Sequence, residues 1–216
     1  VGERVRIILA SKSPRRREIL ENTKVRFSIK ESQIDETIKL NESPKDTVKR
    51  LAYEKALDVA KNNEDALVIG ADTVVVIDDK ILGKPKDETE AYNMIKLLSG
   101  KTHYVITGFA LINLSLNKKI VDCQISQVTF KELSEATIKD YIQTKESLDK
   151  AGAYGIQGYG GLLVKNIQGD YFNIVGLPIS KISDCLKDHF DINLFYGGWF
   201  IWKNLLIHGW QFKRWH

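Results

Sequence analysis

The chemistry legible in this chain starts at Ser11-Lys12-Ser13-Pro14, which precedes Arg15, Arg16 and Arg17 and follows the apolar run "VRIILA". A strand entering such a turn and leaving as a helix presents free backbone N–H groups and the positive end of the helix dipole. Anions bind at such a place, and serine hydroxyls and guanidinium forks add directed donors. Phosphate is the natural ligand, since arginine chelates it and lysine supplies a compact charge. Successive helical residues point about 100° apart, so three consecutive arginines cannot share one ligand. Arg17 therefore reads as an ordinary solvated position.

A second set of residues has the means to act on a bound phosphate. Asp72 interrupts "ALVIGADTVVVID" (66–78), a long apolar, β-branched stretch. A carboxylate inside a core strand is expensive unless it is paired or bound to a cation. It can ligate a divalent ion or take a proton from water, or simply form a turn at a strand break. Asp35-Glu36 in "SQIDET" are adjacent loop carboxylates, either solvated or available to magnesium, which takes a few carboxylates, phosphate oxygens and waters. Lys55 lies on the apolar stripe of Val48, Leu51, Ala52 and Val59. It reads as a snorkelling lysine with its head in water or as an ammonium aimed into a cleft, and spacing alone favours the first. Lys55 and Lys84 would neutralise phosphate charge as it develops.

Several other chemistries are excluded. The chain has no GxxxxGK[ST] loop and no GxSxG elbow, and its four histidines (103, 189, 208, 216) are scattered. The glycine run at 152–161 comes late and opens no strand-to-helix fingerprint, which argues against a dinucleotide site. Cys123 and Cys185 stand far apart without metal-ligand spacing and fit buried thiols in a reducing cytoplasm. A net charge of +4 is too weak a bias to indicate nucleic acid. No apolar stretch reaches the ~20 residues of a membrane span, and the charges of "VGERVRIILA" do not suit a signal peptide.

The elements that must position these residues alternate between strand and helix. Strands are expected at 5–10 and 25–32, around the break at Gly70-Ala71-Asp72, and as a long hairpin over "THYVITGFALINL" and "KIVDCQISQVTF". Ser13-Pro14 and Ser43-Pro44 open helices, the second running to about residue 62. Asp87 and Glu90 cap a helix over 88–98 that stops at Ser99-Gly100, and Ser134 caps the next. "GLLVKNIQGDYFNIVGLP" resembles a last hairpin and "ISKISDCLKDHF" a last helix. With 216 residues the chain suits one domain, here 1–194. All four tryptophans lie in the 195–216 tail, which reads as an appendage or, alternatively, an interfacial or partner-binding helix.

Taken together, "LASKSPRRREIL", "IDE", "RLAYEKA", "GADTVV", "GKP", "LSGKTHYVITG", "LDKAGAYGIQG" and "GDYFNIVGLP" occur in the order of the Maf family, the septum-formation-type nucleotide pyrophosphatases, which this chain resembles over about residues 5 to 194. The resemblance implies an α/β fold with a mixed twisted sheet flanked by helices and two lobes around a central cleft, similar to inosine-triphosphate pyrophosphatases. It implies a cytoplasmic, often dimeric hydrolase that converts a nucleoside triphosphate to the monophosphate and pyrophosphate with Mg2+ or Mn2+. Carried onto this chain, Asp72 would activate water and bind metal with Glu36, while Ser11, Arg15, Lys55 and Lys84 would hold the triphosphate. The branch acting on dTTP and UTP resembles this chain at Arg16, Thr73 and Gln157, where a glutamine amide suits a pyrimidine edge. The resemblance favours the inward reading of Lys55. Other expectations to be weighed are a purine or modified nucleotide as substrate, and a non-catalytic nucleotide-binding regulator of division.

Overall fold

A computed structural model describes residues 5–196 and 199–200 of the chain. The expectation of an appendage at 195–216 thus falls almost wholly outside the described residues. Three strands begin the sheet in parallel: β1 (Ile7–Leu9) lies between β2 (Phe27–Ile29) and β3 (Leu67–Ile77). β4 (Lys80–Leu82), β5 (Thr102–Asn113), β6 (Lys118–Phe130) and β7 (Val164–Gln168) add antiparallel ladders. The result is one mixed seven-stranded sheet in the order β2-β1-β3-β5-β6-β7, with β4 on β3. A short ladder pairs β8 (Ile192–Asn193) with β9 (Trp199–Phe200).

The helices start where local chemistry places them. α1 (Pro14–Asn22) begins at its proline, and Ser13 holds the N-cap position in extended conformation without a side-chain cap bond. α2 (Pro44–Ala60) is capped by Ser43, which accepts from Asp46 N. α3 (Glu88–Leu98) has Asp87 accepting from Glu90 N, and the Glu90 carboxylate returns to Lys86 N at 2.7 Å. α4 (Glu135–Gln143) has the expected Ser134 cap. α5 (Tyr171–Val175) and α6 (Ile179–Phe190) follow. Among the described residues no helix is long and apolar enough to cross a membrane.

Three expectations need correction. Gly70-Ala71-Asp72 is no break, because β3 runs through it as one eleven-residue strand. The apolar run after β7 is not a second hairpin strand. Gly169 turns at φ +117 and Asp170 accepts from Phe172 N, and that cap starts α5. Cys123 and Cys185 are half-buried free thiols, not core ones.

Strand alternation sorts β3 between two layers. Leu67, Ile69 and Ala71 pack with α1 and α6 through Ile19, Leu20, Ile182 and Leu186. Val68 packs on the other face with Ala52, Ala56 and Ala60 of α2. A further core joins α3 and α4 to the far end of the sheet through Ala91, Ile95, Ile138 and Tyr141. On the side of β3 away from β5, β1 pairs with residues 67–69 and β4 with 75–77. Between them, residues 70–74 have no strand partner on that side among the described residues. The sheet opens there, next to the carboxyl end of the parallel strand β1, where ligands bind in open α/β sheets.

Candidate active site

The gap beside residues 70–74 of β3 borders a cleft of about 670 Å³. All nine residues singled out from the sequence line it: Ser11, Arg15, Arg16, Glu36, Lys55, Asp72, Thr73, Lys84 and Gln157. Asp35, the neighbouring carboxylate, is exposed and does not. Asp72 and Thr73 are consecutive on a strand, so they face opposite layers. Asp72 meets α2, and Thr73 meets α1. The cleft draws on both sides of the sheet because the gap passes through its plane.

Two glycines bring α2 onto Asp72. A Cβ on Gly70 would stand 2.3 Å from the Ala52 carbonyl oxygen, and one on Gly108 2.3 Å from that of Val48. Gly108 is the register partner of Asp72. With only hydrogen at these positions the helix backbone rests on the sheet, and Lys55 reaches the carboxylate. Its Nζ donates to Asp72 Oδ1 at 2.7 Å and lies 2.9 Å from Glu36 Oε1. Lys55 is only 7% exposed, so the ammonium points inward and does not snorkel. Burial pushes the Glu36 carboxyl up, but the charge and hydrogen bond of Lys55, with Lys84 and Arg16 behind it, leave it below the ordinary carboxylate value.

Glu36 arrives on a loop that Arg50 of α2 ties down. Arg50 Nε and Nη2 bind both Glu42 oxygens at 2.8 Å, and Nη2 also reaches Thr37 O at 3.0 Å. Hydrogen bonding from Arg50 holds the Glu42 carboxyl below its ordinary value.

The three arginines part in three directions. Arg15 Nη1 binds Asp149 Oδ2 at 3.1 Å, and Asp149 also takes Lys150 at 2.6 Å. Arg16 is drawn inward: Nε donates to Gly176 O at 2.7 Å, Nη1 to Ser11 Oγ at 3.3 Å and Nη2 to Thr73 Oγ1 at 3.0 Å. Burial lowers its pKa against the opposing charges of Asp72 and Glu36, and a guanidinium stays charged regardless. Arg17 pairs with Glu21 on the exposed face. Ser11 Oγ accepts from Ser13 N and Arg16, so its own proton is not consumed in these bonds.

Lys84 is exposed at the rim, and Gln157 precedes a glycine-rich turn at Gly158–Leu163. Glu146 fixes that turn by accepting from Tyr159 N at 2.9 Å and Gly160 N at 3.1 Å. Tyr154 forms part of the wall, and its hydroxyl meets His103 Nε2 at 2.7 Å behind it. Burial pushes the Tyr154 phenol up and His103 down to about 4.

Asp149, Lys150, Arg50 and Glu146 belong to the site's frame and were not singled out in sequence. Asp149 and Lys150 stand in "LDKAGAYGIQG" and Arg50 opens "RLAYEKA", but no local spacing connects Asp149 with an arginine 134 positions away.

Among the described residues no group of three or more His, Cys, Asp or Glu side chains converges as a metal cage. The donor set is the pair Asp72 and Glu36, joined through one ammonium that uses a single oxygen of each. Two carboxylates among the cationic side chains of this cleft fit magnesium or manganese, which take a few carboxylates and complete their shells with other oxygens and water.

The cleft can thus hold a polyanion along Ser11, Arg15, Lys55 and Lys84 and present a carboxylate to it. A family model described as "Maf-like protein" matches residues 6–189. The chain is similar to a protein of Clostridioides difficile named dTTP/UTP pyrophosphatase, 64% identical over 191 residues, or 88% of this chain and 98% of the relative. Relatives of the same name from Alkaliphilus oremlandii and Bacillus cereus are 56% and 52% identical over 189 residues, covering 87% and 88% of this chain and 98% and 97% of theirs.

Proposed function

The chain belongs to the Maf family, and we propose that it hydrolyses dTTP and UTP to the nucleoside monophosphate and pyrophosphate, removing unwanted nucleotides. Relatives bearing that name at 52–64% identity over most of the chain support the substrate. The observation that carries the chemistry is Lys55, which holds Asp72 and Glu36 together inside a cleft rimmed by Ser11, Arg15 and Lys84.

In this reading Ser11, Arg15, Lys55 and Lys84 seat the triphosphate. Lys55 occupies one oxygen of Asp72 and leaves the other to accept the proton of the attacking water. The phosphoanhydride bond between the α- and β-phosphates breaks, and the charge that develops on pyrophosphate falls beside the cations of the rim. Arg16, Thr73 and Gln157 line the same cleft and select the base. Glu36 and Asp72 would hold a divalent cation, which when bound polarises the phosphates and neutralises their charge. The proposal extends to a cytoplasmic homodimer with its pyrophosphatase domain at 1–194. A single species of monomer mass in sedimentation overturns the dimer.

The test is a panel of nucleoside triphosphates incubated with magnesium or manganese and read by pyrophosphate release. The expected result is turnover highest on dTTP and UTP, reduced roughly 10²–10⁴-fold in Asp72→Asn. Full activity in that variant, or no pyrophosphate from any triphosphate, overturns the mechanism.

A further inference from the structure

Behind Thr73, away from the cleft, runs a chain of buried polar groups whose proton directions are determined. Thr107 is the register partner of Thr73 on β5 and is wholly buried. Its hydroxyl lies 2.8 Å from the backbone carbonyl oxygen of Asn173 in α5. A carbonyl oxygen cannot donate, so Thr107 spends its only proton there. The 2.9 Å contact between the two threonine hydroxyls is then donated by Thr73. Thr73 in turn accepts from Arg16 Nη2 at 3.0 Å. The chain reads in one direction, from Arg16 through Thr73 and Thr107 to the Asn173 carbonyl.

Asn173 is fully buried and every polar atom of its side chain is engaged. Oδ1 accepts from Thr107 N at 3.1 Å, while Nδ2 donates to Val105 O at 3.0 Å and to Ser126 Oγ at 2.8 Å. The amide orientation follows, because a backbone N–H must face an acceptor. Asn173 thereby fastens α5 to β5 and β6. Three residues on, Gly176 O accepts from Arg16 Nε at 2.7 Å. The Arg16 guanidinium is therefore held twice by α5 and the residue that ends it: directly through Gly176, and through the two threonines that end on Asn173.

We infer that Thr107 and Asn173 are positioning residues for base selection, locking Arg16 in its orientation and turning Thr73 into a pure hydrogen-bond acceptor. This rests on the proposed reading of Arg16 and Thr73 as base-selecting residues. Thr73 has no proton left for the substrate. With one lone pair taken by Arg16, it meets the nucleotide with its remaining lone pair only, and the N–H donors beside it belong to Arg16. Asp72 lies on the opposite face of β3 and is not part of the chain, so selection and proton transfer separate.

Thr107→Val keeps the side-chain shape and removes the hydroxyl, which frees the Thr73 proton and loosens Arg16. The expected result is a roughly tenfold fall in the preference for dTTP and UTP over purine triphosphates, expressed in KM, with kcat on dTTP within about twofold. Thr107→Ser should restore the preference. Unchanged preference in a folded Thr107→Val protein overturns the inference, as does a Ser variant that fails to recover it. Should Thr107→Val not fold, Thr107→Ala against Thr107→Ser makes the same comparison, since both lack the methyl and differ only in the hydroxyl. The unsubstituted chain runs in the same panel. If it turns over no triphosphate, the parent reading and this inference both fall, whereas an active parent with an indifferent Thr107→Val protein sinks only the inference.

Discussion

Gly70→Ala tests whether the distance between helix and sheet sets the chemistry. The added Cβ would stand 2.3 Å from Ala52 O, 2.8 Å from Ala56 N and 2.9 Å from Ala56 Cβ. Ordinary contact begins at 3.4 Å, and two of the three atoms are backbone, so no side chain can swing aside. α2 must lift by about 1 Å or the strand must sink by as much. A lift of that size carries Lys55 Nζ from 2.7 Å to about 3.7 Å from Asp72 Oδ1, beyond a hydrogen bond. Overpacking of this kind costs about 1–3 kcal/mol. At roughly 2–4 °C per kcal/mol for a domain of this size, the melting temperature should fall by about 2–12 °C. A misplacement near 1 Å at reacting groups lowers kcat/KM by roughly 10². Thermal melting and pyrophosphate release on dTTP read the two effects separately. Gly83→Ala is the control: an added Cβ meets nothing within 4 Å there, and stability should stay within about 0.5 kcal/mol. If Gly70→Ala melts lower yet keeps full kcat/KM, the packing is as described but does not position Lys55. If both quantities are unchanged, the account of the α2 seam is refuted.

His103 predicts a stability slope with pH: burial depresses its pKa from 6.5 to about 4. The unfolded chain takes up this proton below pH ~6.5 and the folded chain only near 4, so stability is full above 6.5 and declines as pH falls. Roughly 2 kcal/mol should be lost between pH 6.5 and 5 in chemical denaturation, and His103→Gln should flatten that slope. The carboxylates held low, Glu36, Glu42 and Asp149, act in a more acidic window, as pH falls through their own depressed values. Arg17→Ala removes an exposed i,i+4 pair and should shift stability by about 0.5 kcal/mol at most with turnover intact. Arg15→Ala should raise KM for dTTP about tenfold by removing a charge-assisted phosphate contact, and equal kinetics in the two variants would contradict the division of the arginine triplet.

Local chemistry in the sequence determined where α2, α3 and α4 begin. Ser43-Pro44, Asp87 with Glu90, and Ser134 act through hydrogen bonds spanning three or four residues, so their neighbours in sequence are their neighbours in space. The proposed phosphate seat was legible for the same reason, since strand, turn and arginines are contiguous, and the helical angle alone forbade a shared ligand for all three. A carboxylate within an apolar strand marked Asp72, because burial of an unpaired charge is too costly to be casual. Other features depended on residues distant in sequence. Gly70-Ala71-Asp72 looked like a strand break until the contact of α2 supplied the reason for glycine. "YFNIV" had strand composition but became α5, whose Asn173 is tied to Thr107 and Val105 of β5 and Ser126 of β6. Which arginine turned inward was set by partners 57 and 160 positions away, and the gap in the sheet by β1 and β4 pairing with different stretches of one strand. Periodicity records which face of an element is apolar, but carries no term for what another element brings to that face, and the cleft is made of such meetings.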